Sequence, residues 1–324
     1  MPKAIRVYEH GGAEVLKWEE VELPPVGAHD VRVRHTAIGV NYSDIYRRTG
    51  LYSNALPSGM GSEAAGVVEQ VGRRVRDFKR GDRVGYVVNS PPGAYATERV
   101  LSAEALVKVP AGIGDEQAAA VLLRGLTCWY LLRRTHRLSR GDNLLITAAA
   151  GGVGLILCQW ARALGAHVIG AVGSEAKASL ARRHGCHRVV VGYHDLAAQV
   201  RKLTRGKGVD VVYDSVGKDT FHGSLDSLRA RGLMVSFGNA SGPVPPFAAL
   251  ELSDRGSLFL TRPRLVDYID TPEVRRTAVR ELFSLMKRRQ VRLHIGQRYA
   301  LADAARAQRD LEARRTTGST VLVP

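Results

Sequence analysis

The residues whose types and spacing best suit chemistry lie in the run AAAGGVG, where Ala149, Gly151 and Gly154 occupy the three positions of G-x-G-x-x-G. Residues without bulky side chains let backbone N–H groups come close to a ligand. When a helix starts directly behind such a turn, its partial positive charge falls on the same point, and a pyrophosphate is the anion that fits. A second group follows in AVGSEAK, which offers Ser174 and Lys177 where an NAD site would place a carboxylate for the ribose 2′-hydroxyl. A small hydroxyl with a nearby cation suits a 2′-phosphate instead. Tyr193, just past the next strand-like run, is placed to close over that phosphate, and Glu175 is expected to point into solvent. The cofactor implied is NADPH.

These residues need a rigid mount, and the flanking sequence supplies one. Residues 144–147 are a short apolar run of strand length. The glycines follow, then an amphipathic helix carrying Leu155, Leu157, Cys158, Ala161 and Leu164, stopped by Gly165. A second strand at 168–172 completes a βαβ unit. Residues 144–161 carry no charge and approach the length of a membrane span, but three glycines in four positions near the middle argue against one.

Residues 3–100 read as β-rich, with strands expected at 4–8, 16–21, 31–39, 64–71 and 83–88, separated by HGG, LPPVGAHD, KRGD and NSPPGA. A short helix or turn is expected at 41–50. Past Pro110 a helix is expected at 115–132 with Asp115 as its N-cap. Strands and helices then alternate, which predicts a doubly wound parallel sheet with further strands at 209–213, 232–237 and 257–261. Helices are expected at 173–184, 196–204, 219–228, 271–289 and 300–313, and a closing strand at 319–323. The simplest architecture is a Rossmann domain at 126–261 inserted into a split, β-rich domain formed by 1–125 and 262–324.

With 45% hydrophobic and 24% charged residues over 324 positions, the chain has ample material for two cores. No apolar leader precedes the first strand-like segment. Cys128, Cys158 and Cys186 are dispersed and never spaced as C-x-x-C, which speaks for a reducing, cytoplasmic setting rather than disulfides or a zinc knuckle. The net charge of +16 permits a polyanion partner such as nucleic acid. Its arginines come as scattered pairs, such as Arg73-Arg74 and Arg182-Arg183, without interleaved aromatics, so a basic solvated surface is the favoured reading.

The segments AIGVNYSDIYRRTGLY, LPSGMGSEAAGVVEQVG, GDRVGY, AAAGGVGLILCQWARALGA, VVYDSVG, GLMVSFGNASG and GSLFLTRP, in that order, resemble the medium-chain dehydrogenase/reductase superfamily. The resemblance runs the whole length and is to the zinc-independent quinone oxidoreductase, zeta-crystallin-like branch. It implies a GroES-like split domain around the Rossmann domain, NADPH as cofactor, and a homodimer in which GSLFLTRP lies at a sheet edge. Zinc-dependent relatives carry a cysteine near position 41 and a histidine before the glutamate of G-H-E. This chain has Asn41 and Ser62-Glu63, and no three-ligand set is assembled.

Without a metal Lewis acid, the expected reaction is hydride donation from NADPH to an electrophile needing little help, a quinone. Activated C=C bonds of enones or alkenals are the alternative within the superfamily, and a polyanion- or RNA-binding relative with little turnover is the alternative outside it. The resemblance implies Asn41, Tyr46 and Tyr52 around the nicotinamide and the acceptor, with Asp44 structural. By the same resemblance Gly152 and Val153 meet the pyrophosphate. Ser215, Phe237, Gly238, Asn239 and Ser241 border the nicotinamide end, Arg262 and Arg314 reach the cofactor, and Thr127 lies where the two domains meet.

Overall fold

The computed structural model describes residues 1–324. Its first stretch forms β1 (Lys3–Val7), β2 (Lys17–Glu20), β3 (Asp30–Val40), α1 (Tyr42–Arg48), β4 (Ser58–Gly59), β5 (Glu63–Val71), β6 (Arg83–Val87), β7 (Glu98–Ser102) and β8 (Leu106–Lys108), then α2 (Asp115–Tyr130). The middle alternates β9 (Asn143–Ile146), α3 (Gly152–Ala163), β10 (His167–Val172), α4 (Glu175–Arg183), β11 (Arg188–Val191), α5 (Leu196–Leu203) and β12 (Val209–Asp214). It continues with α6 (Phe221–Asp226), β13 (Leu228–Ser236), α7 (Leu250–Asp254) and β14 (Phe259–Thr261). The chain ends in α8 (Pro272–Lys287), β15 (Ile295–Ala300), α9 (Ala304–Glu312) and β16 (Ser319–Val323). No helix is long and apolar enough to cross a membrane.

Contacts divide the chain into two compact units. The first is Met1–Arg124 with Val279–Phe283 and Leu293–Pro324, and the second is Gly125–Ala278 with Ser284–Arg292. The boundary expected at 262 falls inside the second unit, because β14 extends that unit's sheet and the chain stays with it as far as Ala278.

In the first unit, β15-β16-β3-β5-β6-β8 form one sheet with β7 also on β3, and β2-β1-β4 form a smaller antiparallel one. β3 shows why. Val31, Val33, His35 and Ala37 are buried while Arg32, Arg34 and Thr36 are not, the period-two alternation of a half-buried strand. From Ala37 to Val40 every residue is buried, as the strand runs into the core. Asp115 is not the cap expected of it. It is the first helical residue of α2, and its carboxylate accepts hydrogen bonds from Thr36 (2.8 Å) and Arg83 Nε (2.8 Å). The capping contact comes from Gln117, whose Oε1 accepts the Gly114 N–H at 3.0 Å, one half of a capping box.

His35 sits fully inside this unit. Its Nδ1 donates to the Ala96 carbonyl at 2.6 Å and its Nε2 accepts from Tyr86 Oη at 3.0 Å, the neutral tautomer. Burial, with Arg99 adding repulsion, pushes its pKa down to about 4 from 6.5. The unfolded chain therefore binds the extra proton between these values. Stability falls as pH drops through that window, by on the order of 3 kcal/mol from this group. Urea denaturation at pH 7 and pH 4.5 is expected to show a smaller pH-dependent loss in His35→Gln than in the parent. Equal losses would contradict the assignment.

The second unit is a six-stranded parallel sheet in the order β11-β10-β9-β12-β13-β14. The strand order reverses at β9, between β10 on one side and β12 on the other. In such sheets ligands bind beyond the carboxyl ends of the strands at that reversal. Trp160, Leu145, Val212, Tyr213, Phe221 and Met234 are fully buried in this unit.

Candidate cofactor and active-site residues

β9 ends at Ile146, and the chain turns through Ala148, whose φ of 48° is in the left-handed region. For an alanine that conformation costs roughly 1–2 kcal/mol, strain held at the turn. The Ala148 carbonyl accepts the Gly151 N–H at 2.8 Å, closing the turn, and the Ala149 N–H bonds the Ala171 carbonyl of β10 at 3.0 Å. Ala149 stands where the motif has glycine because β10 supplies the room. A Cβ on Gly170 would lie 2.8 Å from the Ala149 methyl and 2.5 Å from Cys186 Sγ.

Gly154 is the position that accepts no side chain. A Cβ there would lie 2.4 Å from the Ala148 oxygen and 2.8 Å from Ala149 Cα, both main chain. α3 therefore begins in direct backbone contact with the turn. Gly151 is its N-cap with no side-chain capping bond. The N–H groups of the first turn, at Gly152, Val153 and Gly154, are left without intrahelical acceptors, which makes an anion site.

At the end of β10, Ser174 is the N-cap of α4, and its carbonyl accepts the Lys177 N–H at 3.1 Å. Glu175 is exposed, as expected. The Gly192 N–H bonds the Val172 carbonyl at 2.8 Å, which draws the end of β11 against the end of β10. Ser174, Lys177 and Tyr193 are thereby gathered at one corner of the sheet. No acidic side chain ends β10.

At the ends of β12 and β13 two loops are zipped together. Asp214 is fully buried and accepts from the Val216 and Gly217 N–H groups (2.8 and 2.9 Å) and from the hydroxyls of Thr220 and Ser224 (both 2.6 Å). The Ser215 N–H bonds Thr147 Oγ1 at 3.0 Å, and its carbonyl accepts the Ala240 N–H at 3.1 Å. A Cβ on Gly238 would meet the Ser215 oxygen at 2.4 Å, so the loops close only on glycine. The Ser241 hydroxyl donates to the Val216 carbonyl (2.8 Å) and accepts the Asp219 N–H (3.0 Å), holding the loop shut. Arg262 NH1 reaches Ser236 Oγ (3.2 Å) and the Gly238 carbonyl (3.0 Å), bracing the strand end that carries Phe237. Thr127 is half-buried in α2.

In the first unit, α1 carries the residues expected beside the acceptor. Tyr46 is buried and meets Tyr52 edge to face with centroids 5.1 Å apart. The Tyr52 N–H bonds the Tyr46 carbonyl at 2.9 Å. Asn41 is the N-cap of α1, and its N–H donates to Asp44 Oδ2 at 2.9 Å. Asp44 is wholly buried and also accepts from Tyr95 Oη (3.0 Å) and Ser62 Oγ (3.3 Å), the structural role expected of it. Burial raises its pKa, against the opposing pull of Arg47 and these donors. Arg314 is exposed past α9, with φ of 59°; burial raises the Tyr42 pKa, and the Arg314 charge partly offsets it.

Glu63 and Arg124 form a buried pair that no sequence motif marks. Glu63 Oε1 accepts from Asn41 Nδ2 (2.8 Å) and Arg124 NH1 (3.0 Å), and Oε2 accepts the Leu123 N–H (2.7 Å). Arg124 also donates to the Ala120 carbonyl (2.9 Å) and to that of Val40. Glu63 is fully buried and Arg124 nearly so. Burial raises the carboxyl pKa, and Arg124 and the N–H donors work against it. Gly39 admits the pair, since a Cβ there would stand 2.3 Å from Glu63 Oε1. A signal existed: Arg124 is the one charge in the run AAAVLLRGLTCWYLL, and a charge inside an apolar helix needs a partner. Asn41 and Ser62, at the positions where zinc-dependent relatives have ligands, are thus bonded to Glu63 and Asp44.

Residues 152–280 match the family described as zinc-binding dehydrogenase, and residues 27–111 match the alcohol dehydrogenase GroES-like domain. A quinone oxidoreductase of Pseudomonas aeruginosa is 54% identical over the full length of both chains. The crystal structure of Escherichia coli quinone oxidoreductase complexed with NADPH superposes with a TM-score of 0.96 at 46% identity, covering 99% of this chain and 100% of that one. A 2-haloacrylate reductase of a Burkholderia species is 44% identical over 100% of this chain and 99% of its own length.

Proposed function

The chain belongs to the quinone oxidoreductase branch of the medium-chain dehydrogenase/reductase superfamily, and on that premise we propose that it reduces quinones at the expense of NADPH. The observation that carries the cofactor choice is the β10 end, where Ser174, Lys177 and Tyr193 gather and no carboxylate stands. When bound, NADPH supplies the hydride. The first-turn N–H groups of α3 hold its pyrophosphate, with Gly151, Gly152 and Val153 in contact. The zipped loops carrying Ser215, Phe237, Gly238 and Ser241, braced by Arg262, border its nicotinamide end. Thr127, Arg314 and Asn41, which also faces the acceptor, complete the cofactor residues.

Asn41, Tyr46 and Tyr52 serve the acceptor. A quinone gains aromaticity as it accepts hydride, so the protein's part is to position the ring and to donate a hydrogen bond where an oxygen becomes negative. The hydroxyl of Tyr46 or Tyr52 is a suitable donor, and water supplies the final proton. The cation beside Glu63 is the Arg124 guanidinium.

Lys177→Ala is expected to weaken NADPH binding by roughly 10–100-fold, the worth of one charge-assisted hydrogen bond of about 1.5–3 kcal/mol. NADH binding stays unchanged, because NADH lacks the 2′-phosphate. Fluorescence titration with both nucleotides reads this, and equal losses for both would refute the phosphate contact. Reduction of an activated C=C bond is the second reading, favoured by the 44% identity to a 2-haloacrylate reductase.

The homodimer also stands as a proposal. β14 is the edge of the parallel sheet, with Phe259 on it and Val266 just past it both exposed. Pairing of that edge with a second copy covers both, and sedimentation at micromolar concentration tests it. Three free, buried thiols, two of them 3.3 Å apart and unlinked, support a cytoplasmic setting. A polyanion partner is not part of this reading. Any association the +16 charge brings is expected to vanish at moderate salt.

A further inference from the structure

We propose that the buried Glu63–Arg124 pair is a positioning device for Asn41, fixing which end of its amide is presented to the acceptor. This rests on the assignment of Asn41 to the acceptor side. Asn41 Nδ2 gives one hydrogen to Glu63 Oε1 at 2.8 Å. The carboxylate takes two further N–H donors, from Leu123 at 2.7 Å and Arg124 at 3.0 Å, so both of its oxygens act as acceptors. The anion is the form that satisfies them all. An Asn41 amide turned by 180° would set Oδ1 against Glu63 Oε1, two acceptors with no hydrogen between them. One amide orientation is therefore enforced, and it leaves the second Nδ2 hydrogen as a donor at a fixed place. A donor so held suits an oxygen that gains negative charge in the reaction. Arg124 keeps the carboxylate anionic inside the core, and Gly39 leaves the room for it.

Glu63→Gln discriminates, because it turns one acceptor end into a donor. The Leu123 N–H belongs to the main chain of α2 and cannot turn away, whereas Arg124 NH1 keeps its bond to the Ala120 carbonyl, so the oxygen of the substituted side chain goes to Leu123 and the new NH2 group takes the place of Oε1, opposing both Arg124 NH1 and Asn41 Nδ2. Asn41 must then rotate to offer Oδ1. With NADPH and 1,4-benzoquinone, kcat is expected to fall about tenfold or more in Glu63→Gln while KM for the quinone changes less than about threefold. Asn41→Ala should fall as far, and the Asn41→Ala/Glu63→Gln double variant no more than about twofold further, since both remove the same donor. Multiplicative losses in the double variant, or a Glu63→Gln enzyme keeping more than half its kcat, would overturn the proposal.

A second arm does not depend on turnover or on the folding of a variant. In the 15N spectrum of the wild-type chain, one side-chain amide hydrogen of Asn41 should lie downfield and exchange slowly with water. Two equivalent, fast-exchanging hydrogens would reject the fixed amide. If the wild type does not oxidise NADPH with quinones while this signal is present, the functional reading fails and the positioning survives.

Discussion

Arg124→Met is expected to destabilise the chain by about 3–5 kcal/mol at pH 7, because it leaves a buried carboxylate without its cation. Glu63 is fully buried, and Arg124 is its only ion-pair partner within 4.0 Å. The side chains are similar in length, so little of the loss comes from packing. The carbonyl of Val40 also loses its donor, which adds to the cost. The pH dependence identifies the cause. In the variant the Glu63 pKa rises further above its unfolded value, so the folded state binds the proton first and gains stability as pH falls. The deficit relative to wild type should therefore shrink between pH 7 and pH 5. Arg124→Lys, which keeps the charge, should cost far less. A single loss that is constant with pH, or a lysine variant as weak as methionine, would show that Arg124 acts through packing alone.

Gly154→Ala should abolish NADPH binding at concentrations that saturate the wild type, an affinity loss on the order of 100-fold or more from about 3 kcal/mol. The added methyl meets main-chain atoms of Ala148 and Ala149 at 2.4–2.8 Å, and main chain cannot rotate away. α3 must back off the turn, which takes its first N–H groups out of reach of the pyrophosphate. Overpacking of this kind also costs about 1–3 kcal/mol of stability. Circular dichroism melting and fluorescence titration read the two effects separately. A variant that binds NADPH as the wild type does would mean that contact between helix and turn is not what forms the site.

The βαβ unit was legible because each step had its own local signal: an apolar run, small residues, an amphipathic helix and a glycine stop. β3, β5 and β6 were legible for the same reason. β7 and β15 were not: ERVLS and IGQRYA are half-exposed, so charge and polarity blur the alternation that marks a strand. β8 has three residues, too few for a period. Asp115 departs from the expected cap: aspartate before an apolar helix is a common cap, but the partner that claims it, Arg83, is 32 residues away in sequence.

The site followed the same rule. Ser174 and Lys177 are neighbours in sequence and could be read together, whereas Glu63 and Arg124 lie 61 residues apart and meet only in the fold. Ala149 stands at a glycine position of the motif, and the Gly170 that leaves room for its methyl sits on the next strand, visible only once β9 and β10 are paired.

A steady-state comparison on the purified chain decides both cofactor and acceptor: kcat/KM for 1,4-benzoquinone with NADPH and with NADH, and for 2-cyclohexenone with NADPH. The β10 corner without a carboxylate predicts that NADPH exceeds NADH by about tenfold or more. An acceptor that needs no Lewis acid predicts that the quinone exceeds the enone. NADH serving as well as NADPH would contradict the cofactor assignment, and faster turnover of the enone would contradict the quinone as substrate.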